Sequence, residues 1–237
     1  MQEQARKKLR PEPSFEDYHK QWSQLYEGLN YEQGLAAYFM NKSHEWCEKP
    51  FGADMHFERV VEVGAGTGVH LKTIKHSVKE YYLTDYSDES LAKAKENINV
   101  DDYDFTIKFQ QEDASKLSLP DDFCDRLIGT HVLEHLLNPH LVLQEWARVV
   151  KPGGVISIIL PTDPGFAWRL GRRVGGRSAF IKAGIDYDYW MAREHVNPLN
   201  NLVSFINYYF EDVKSSWHPL RIPSMDANLF YICHIKV

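Results

Sequence analysis

Residues 60–71, Val-Val-Glu-Val-Gly-Ala-Gly-Thr-Gly-Val-His-Leu, constrain this chain more than any other stretch. A β-branched run at 59–63 reads as a buried strand and stops at Gly64. Gly64, Gly66 and Gly68 then alternate before an apolar helical pattern resumes at Val69. Strand, glycine turn and helix bring bare backbone and a helix N-terminus up to a nucleotide-like ligand. Missing Cβ atoms let the ligand lie against the main chain and permit positive φ in the turn. The order is G-x-G-x-G, not the G-x-G-x-x-G of a dinucleotide site, and Glu62 stands just ahead of it. Taken alone, such a loop also serves as a tight strand-to-helix turn.

The next hundred residues alternate. Strands are expected at 80–84, 105–110, 125–129 and 155–160, with helices near 70–76, 87–97 and 139–149. Strands alternating with helices predict a parallel sheet wound on both faces, and ligands on such a sheet sit at the carboxyl ends of the strands. Those ends carry residues 64–68, Asp85, Asp113 and Thr130-His131. Asp85 can accept both hydroxyls of a ribose, or simply start the helix at Ser87; the ribose role would also suit a nicotinamide dinucleotide. His131-x-x-Glu134-His135 spells a zinc signature, but the strand ends so close before it that His131 is expected in a loop.

With Glu62, the glycine loop resembles motif I of the class I S-adenosylmethionine-dependent methyltransferases. The run from Leu133-Glu134-His135 to Lys151-Pro152-Gly153-Gly154 is similar to the stretch after strand 4 in their small-molecule, quinone-biosynthesis-like branch. The resemblance covers about 59–160. It implies a Rossmann-like, seven-stranded, mostly parallel sheet with an antiparallel last strand. It implies S-adenosylmethionine as cofactor and S-adenosylhomocysteine as product. Glu62 would serve the cationic ligand through water. Gly64, Ala65, Gly66 and Gly68 would cradle it, Asp85 would hold the ribose, Tyr86, Asp113 and Ala114 would meet the adenine, and Thr130 and His131 would face donor and acceptor.

The flanks complete the expected layout. Residues 1–13 read as a flexible leader and 14–57 as a helical cap. In that cap Tyr18, Trp22 and Tyr26 either pack or, as the resemblance implies, close over the cofactor. The cofactor core is expected at 58–160, an acceptor-binding lid at 161–198, and completion of the sheet by a helix and two strands at 199–237. The lid concentrates Arg169, Arg172 and Arg173 with Tyr189 and Trp190, which predicts a grip on an anionic acceptor, because guanidinium forks match phosphate and carboxylate. A general base, if one is needed, is sought in His195 or His135.

Composition narrows the partners. A net charge of −6 argues against a nonspecific nucleic-acid binder, and a small-molecule acceptor is expected instead. No apolar run is long enough to span a bilayer, although an acceptor at a membrane surface stays compatible. Three separated cysteines read as reduced thiols in a cytoplasmic monomer or homodimer. No bound metal is expected. The competing readings are a non-catalytic S-adenosylmethionine-binding protein and a zinc hydrolase built on the His131–Glu134–His135 run.

Overall fold

The computed structural model describes residue 14, residues 34–174 and residues 177–237. The expected first helix, with Tyr18, Trp22 and Tyr26, lies outside the described residues. In chain order the elements are α1 (Gly34–Glu48), β1 (His56–Val63), β2 (Ser77–Asp85), α2 (Asp88–Asn97), β3 (Thr106–Gln111), β4 (Cys124–Thr130), α3 (Pro139–Val149) and β5 (Val150–Pro161). Then follow α4 (Phe166–Val174), α5 (Arg177–Lys182), α6 (Tyr187–Glu194), α7 (Leu199–Tyr209), β6 (Asp212–His218) and β7 (Phe230–Lys236).

Seven strands form one sheet in the order β3-β2-β1-β4-β5-β7-β6. β1 pairs in parallel with both β2 and β4, while β7 runs antiparallel to β5 and β6. The strand order reverses at β1–β4, so a crevice opens there at the carboxyl edge. The central strands bury mainly apolar side chains, as a sheet covered on both faces requires, with Glu62 of β1 and Arg126 of β4 as buried charged exceptions. One face packs on α3 and α7 through Leu143, Trp146, Leu202 and Ile206; the other packs on α2 and on Phe51 and Met55 of the segment ahead of β1.

Two departures from the sequence reading bear on the site. The expected helix at 70–76 is one 3-10 turn, His70–Thr73, so the glycine loop leads into a short turn and not into an α-helix N-terminus. The ring of His70 is drawn into the interior, where its Nε2 donates to Glu48 at 2.8 Å. The segment after β5, which lacks a clear period in sequence, folds into three short helices, α4, α5 and α6. Phe180, Ile185, Tyr187, Trp190 and Met191 make a small core of their own beneath them.

Candidate active site

At the end of β1 the three glycines do different work. Gly64, Gly66 and Gly68 all have positive φ, at 62°, 55° and 80°. A Cβ on Gly64 would meet Val132 Cγ2 at 2.4 Å and one on Gly68 would meet Ile98 Cδ1 at 2.5 Å, so both permit close packing. A Cβ on Gly66 would meet nothing within 4 Å. Its half-buried main chain, with open space beside it, is the open wall of the crevice. Ala65 is buried beside it and its amide donates to the Thr84 carbonyl.

Asp85 closes the other wall. One carboxylate oxygen accepts from the Gly66 amide at 2.9 Å and the other from the Ser87 amide at 2.8 Å. A carboxylate has about four acceptor sites, so each oxygen keeps a lone pair for a ligand hydroxyl. Ser87 caps α2 by accepting from Ser90. At the end of β3, Asp113 is exposed, with Oδ1 accepting from the amide and hydroxyl of Ser115. Ala114 is buried and its carbonyl accepts from the Trp146 indole. Tyr86 is 75% exposed at the rim. Glu62 is placed differently from its expected role at the entrance: it is 1% exposed and accepts from the Tyr81 hydroxyl at 2.6 Å. Burial raises its pKa.

β4 delivers the other half of the site. Thr130 is buried, and His131 sits at φ 57°, in a loop as expected. The His131 ring meets the Ser43 hydroxyl of α1 at 3.2 Å. Burial lowers its pKa to about 3, helped by His135 and His195. Glu134 is 2% exposed, and burial pushes its carboxyl up to about 8. Burial, then the nearby His195, also lowers His135, of which 34% of the side chain reaches solvent. A ring held low takes up a proton poorly at neutral pH, which fits His135 badly to the general-base role expected of it.

His195, at the end of α6, lies in a different setting. Its Nδ1 donates to Asp163 Oδ2 at 3.0 Å and its ring centroid lies 4.9 Å from that of His135. Asp163 follows β5 and also accepts from Arg172 at 3.4 Å. Thus the lid folds back onto the β4 loop. Arg169, Arg172 and Arg173 line a groove of about 490 Å³ with Phe166, Arg177 and Tyr187. Tyr189 lies outside that lining and is 38% exposed, and Trp190 is buried at 3% in the lid core.

Sequence reasoning missed the polar chain beneath the site. Glu48 of α1 takes a bidentate pair from Arg126 of β4, at 2.6 and 2.9 Å, with Arg126 fully buried and stacked 3.6 Å from the Phe51 ring. His44 Nδ1 meets His70 Nδ1 at 2.9 Å, extending the chain to the glycine turn. A charged residue inside a strand pattern, Arg126 in Cys-Asp-Arg-Leu-Ile, was the one available signal.

Comparison with known proteins follows the same lines. Residues 61–158 match the family described as methyltransferase domain. That match runs through the first five strands of the sheet and the crevice at its reversal point. A phosphatidylethanolamine N-methyltransferase of Cereibacter sphaeroides is 34% identical over 101 residues, 43% of this chain and 49% of that protein. The chloroplastic 2-methyl-6-phytyl-1,4-hydroquinone methyltransferase of Arabidopsis thaliana is 36% identical over 110 residues, 46% of this chain and 31% of that protein. The chain thus spans half or less of the length of these relatives. A solved chain from the complex of the Haloferax volcanii Trm112 methyltransferase activator with a methyltransferase shares the fold at TM-score 0.60 and 15% identity, over 96% of this chain and 99% of that one. An S-adenosylmethionine-dependent methyltransferase of Mesorhizobium loti does so at TM-score 0.56 and 16% identity, over 82% and 98%.

The crevice has room and polar groups for a nucleotide-like ligand. Gly66 leaves open space where a side chain would stand, and the Asp85 carboxylate lies beside it with lone pairs to spare for ribose hydroxyls. Among the described residues no helix is long and apolar enough to cross a membrane.

Proposed function

We propose that this protein transfers a methyl group from S-adenosylmethionine to a small anionic metabolite. The observation that carries the reading is the open main chain at Gly66 set against the Asp85 carboxylate at the sheet's reversal point. When bound there, the cofactor supplies an electrophilic methyl on a good leaving group. The chain's own task is alignment, and holding two reactants in line can contribute about 7–11 kcal/mol of barrier reduction. Gly64, Ala65, Gly66 and Gly68 cradle the donor, Asp85 holds its ribose, and Tyr86, Asp113 and Ala114 border the adenine. Thr130 and His131 stand between donor and acceptor, with Glu62 supporting the loop from behind.

Arg169, Arg172 and Arg173 take the anionic part of the acceptor in the lid groove. A phosphorylated or nucleotide-linked sugar and a lipid head group share that chemistry. The phospholipid methyltransferase among the relatives supports keeping the last of these, so an acceptor presented at a membrane surface belongs to this reading. His195 acts on the acceptor, since Asp163 fixes its Nδ1–H and turns the Nε2 lone pair loose. Tyr189 and Trp190 shape the lid. We place the protein in the cytoplasm as a monomer or homodimer, with no nucleic-acid substrate. Residues 58–160 would form the cofactor core, 161–198 the lid and 199–237 the completion of the sheet.

The test is an Arg169→Glu/Arg173→Glu double variant assayed with labelled S-adenosylmethionine and a pool of phosphorylated metabolites. KM for the acceptor is expected to rise at least tenfold while calorimetric affinity for S-adenosylhomocysteine stays unchanged. An unaltered KM would remove the arginines from acceptor binding.

A further inference from the structure

The lid and the β4 loop bring together three groups with more than a proton to offer. Glu134, His135 and His195 each present one donor atom, and all three atoms lie within 4.8 Å of one another. The glutamate is 2% exposed, and its Oε2 is buried with no hydrogen-bond partner among the described residues. An acid sealed in this way, with one oxygen unsatisfied, is expensive unless something binds it.

The two imidazoles are set up from behind. His135 Nδ1 meets the Glu194 carbonyl at 2.9 Å, and His195 Nδ1 meets Asp163 Oδ2 at 3.0 Å. Both partners are acceptors only, so each ring must carry its proton on Nδ1. That leaves Nε2 as a bare lone pair on both rings. His135 Nε2 lies 3.8 Å from Glu134 Oε1, on the inner side of the cluster. A carbonyl or carboxylate on the far nitrogen of each ligating histidine is the outer support that metal-bound histidines almost always have.

We propose that Glu134, His135 and His195 bind one divalent transition-metal ion of the zinc type on the acceptor side of the crevice. Two imidazoles and one carboxylate make a three-ligand set that leaves a position open, as catalytic zinc sites do. Bonds of about 2.0–2.2 Å bring such donors to roughly 3.4 Å apart, a contraction of at most about 1.4 Å from the present limit of 4.8 Å. The zinc signature noted in the sequence contributes Glu134 and His135, but its third member is His195 of the lid. His131 turns its Nε2 to Ser43, and although its Nδ1 lies 4.0 Å from Glu134 Oε1 it is not one of the three donors that lie mutually within 4.8 Å.

The consequence rests on the methyl-transfer reading and narrows its acceptor to a hydroxyl. With its Nε2 on the ion, His195 would act on the acceptor through the metal and not as a free base: a hydroxyl in the open position would lose its proton to solvent, because a bound divalent ion lowers the pKa of an oxygen ligand by several units. Its oxygen then forms the new O–C bond as the S–C bond breaks, and the sulfonium becomes a neutral thioether. Asp163 joins the two halves of the acceptor site, supporting His195 on one side and receiving Arg172 of the groove on the other.

The experiment titrates Co²⁺ into the full-length, metal-stripped protein, followed by visible absorption and calorimetry, with S-adenosylhomocysteine binding measured on the same samples. One Co²⁺ per chain is expected, with d–d bands that Zn²⁺ abolishes by displacement. Glu134→Gln, which keeps the shape of the side chain, and His195→Ala should each weaken Co²⁺ at least tenfold, and Asp163→Asn tenfold to a hundredfold. His56→Ala, at an exposed site, should leave it unchanged. Equal Co²⁺ affinity in wild type, Glu134→Gln and His195→Ala, with S-adenosylhomocysteine still bound, overturns the metal site and leaves methyl transfer standing. Loss of S-adenosylhomocysteine binding by the wild type would overturn the methyl-transfer reading itself.

Discussion

Glu48 and Arg126 show how much one buried pair can decide. The two side chains are 1% and 0% exposed and share a bidentate contact, with Arg126 also lying over Phe51. Burial alone would raise the Glu48 carboxyl, but Arg126 and His70 hold it well below the usual carboxylate range. Taking both charges out of water is costly, and the geometry repays that cost only while both partners remain. Removing one leaves the other charge buried and unmatched. Glu48→Ala is therefore expected to lower unfolding stability by about 3–5 kcal/mol, read as a reduced urea midpoint. It should also loosen α1, because this contact ties that helix to the central strand β4. A loss below about 1 kcal/mol would mean water reaches Arg126 once the glutamate is gone.

At the scale of elements, the sheet and its helices meet through few tolerances. Gly129 in β4 stands under the indole of Trp146 in α3, and a Cβ there would lie 2.5 Å from the ring. Trp146 is fully buried and its Nε1 donates to the Ala114 carbonyl, so it cannot retreat without losing that bond. Gly129→Ala is expected to cost about 1–3 kcal/mol through overpacking. Since Ala114 is proposed to border the adenine, S-adenosylhomocysteine affinity should fall with it, which calorimetry would detect. The variant matters because glycine at this point serves packing, whereas Gly66, just past the end of the neighbouring strand β1, is the one proposed to serve the ligand.

For the whole molecule, pH sets a clear limit. His218, stacked on Trp46, and His234, against Ser157, both titrate near 4. Burial is the main cause in each case. Arg221 and Lys49 add to it at His218, and Arg126 adds to it, against Glu48, at His234. An unfolded histidine titrates near 6.5. Both rings therefore stay neutral in the fold while the unfolded chain takes up protons below that value. Their contribution is complete above about pH 6.5 and is lost as pH falls toward about 4. Chemical denaturation at pH 7, 6, 5 and 4.5 should show stability dropping by on the order of 1–2 kcal/mol per pH unit from these two groups. A flat profile between pH 7 and 5 would contradict their burial as neutral rings.

The same scale separates what the chain's text determines from what only its folding decides. The glycine loop, Asp85, Asp113 and the β4 terminus were legible in the sequence, because strand–turn–helix alternation places successive strand ends on one edge by local geometry alone. The antiparallel end of the sheet followed from the resemblance, and the helices at 139–149 and 199–209 from apolar periodicity. The helix expected at 70–76 failed because His70 is held in the interior by Glu48, a contact with no local trace. The lid helices were hidden because short helices packed on their own small core need no long amphipathic period. Arg126 with Glu48, and Asp163 with His195 beside Glu134, are tertiary facts. Their members lie tens of residues apart, and only the closing of the sheet and the return of the lid bring such charges near enough for their lone pairs and protons to matter.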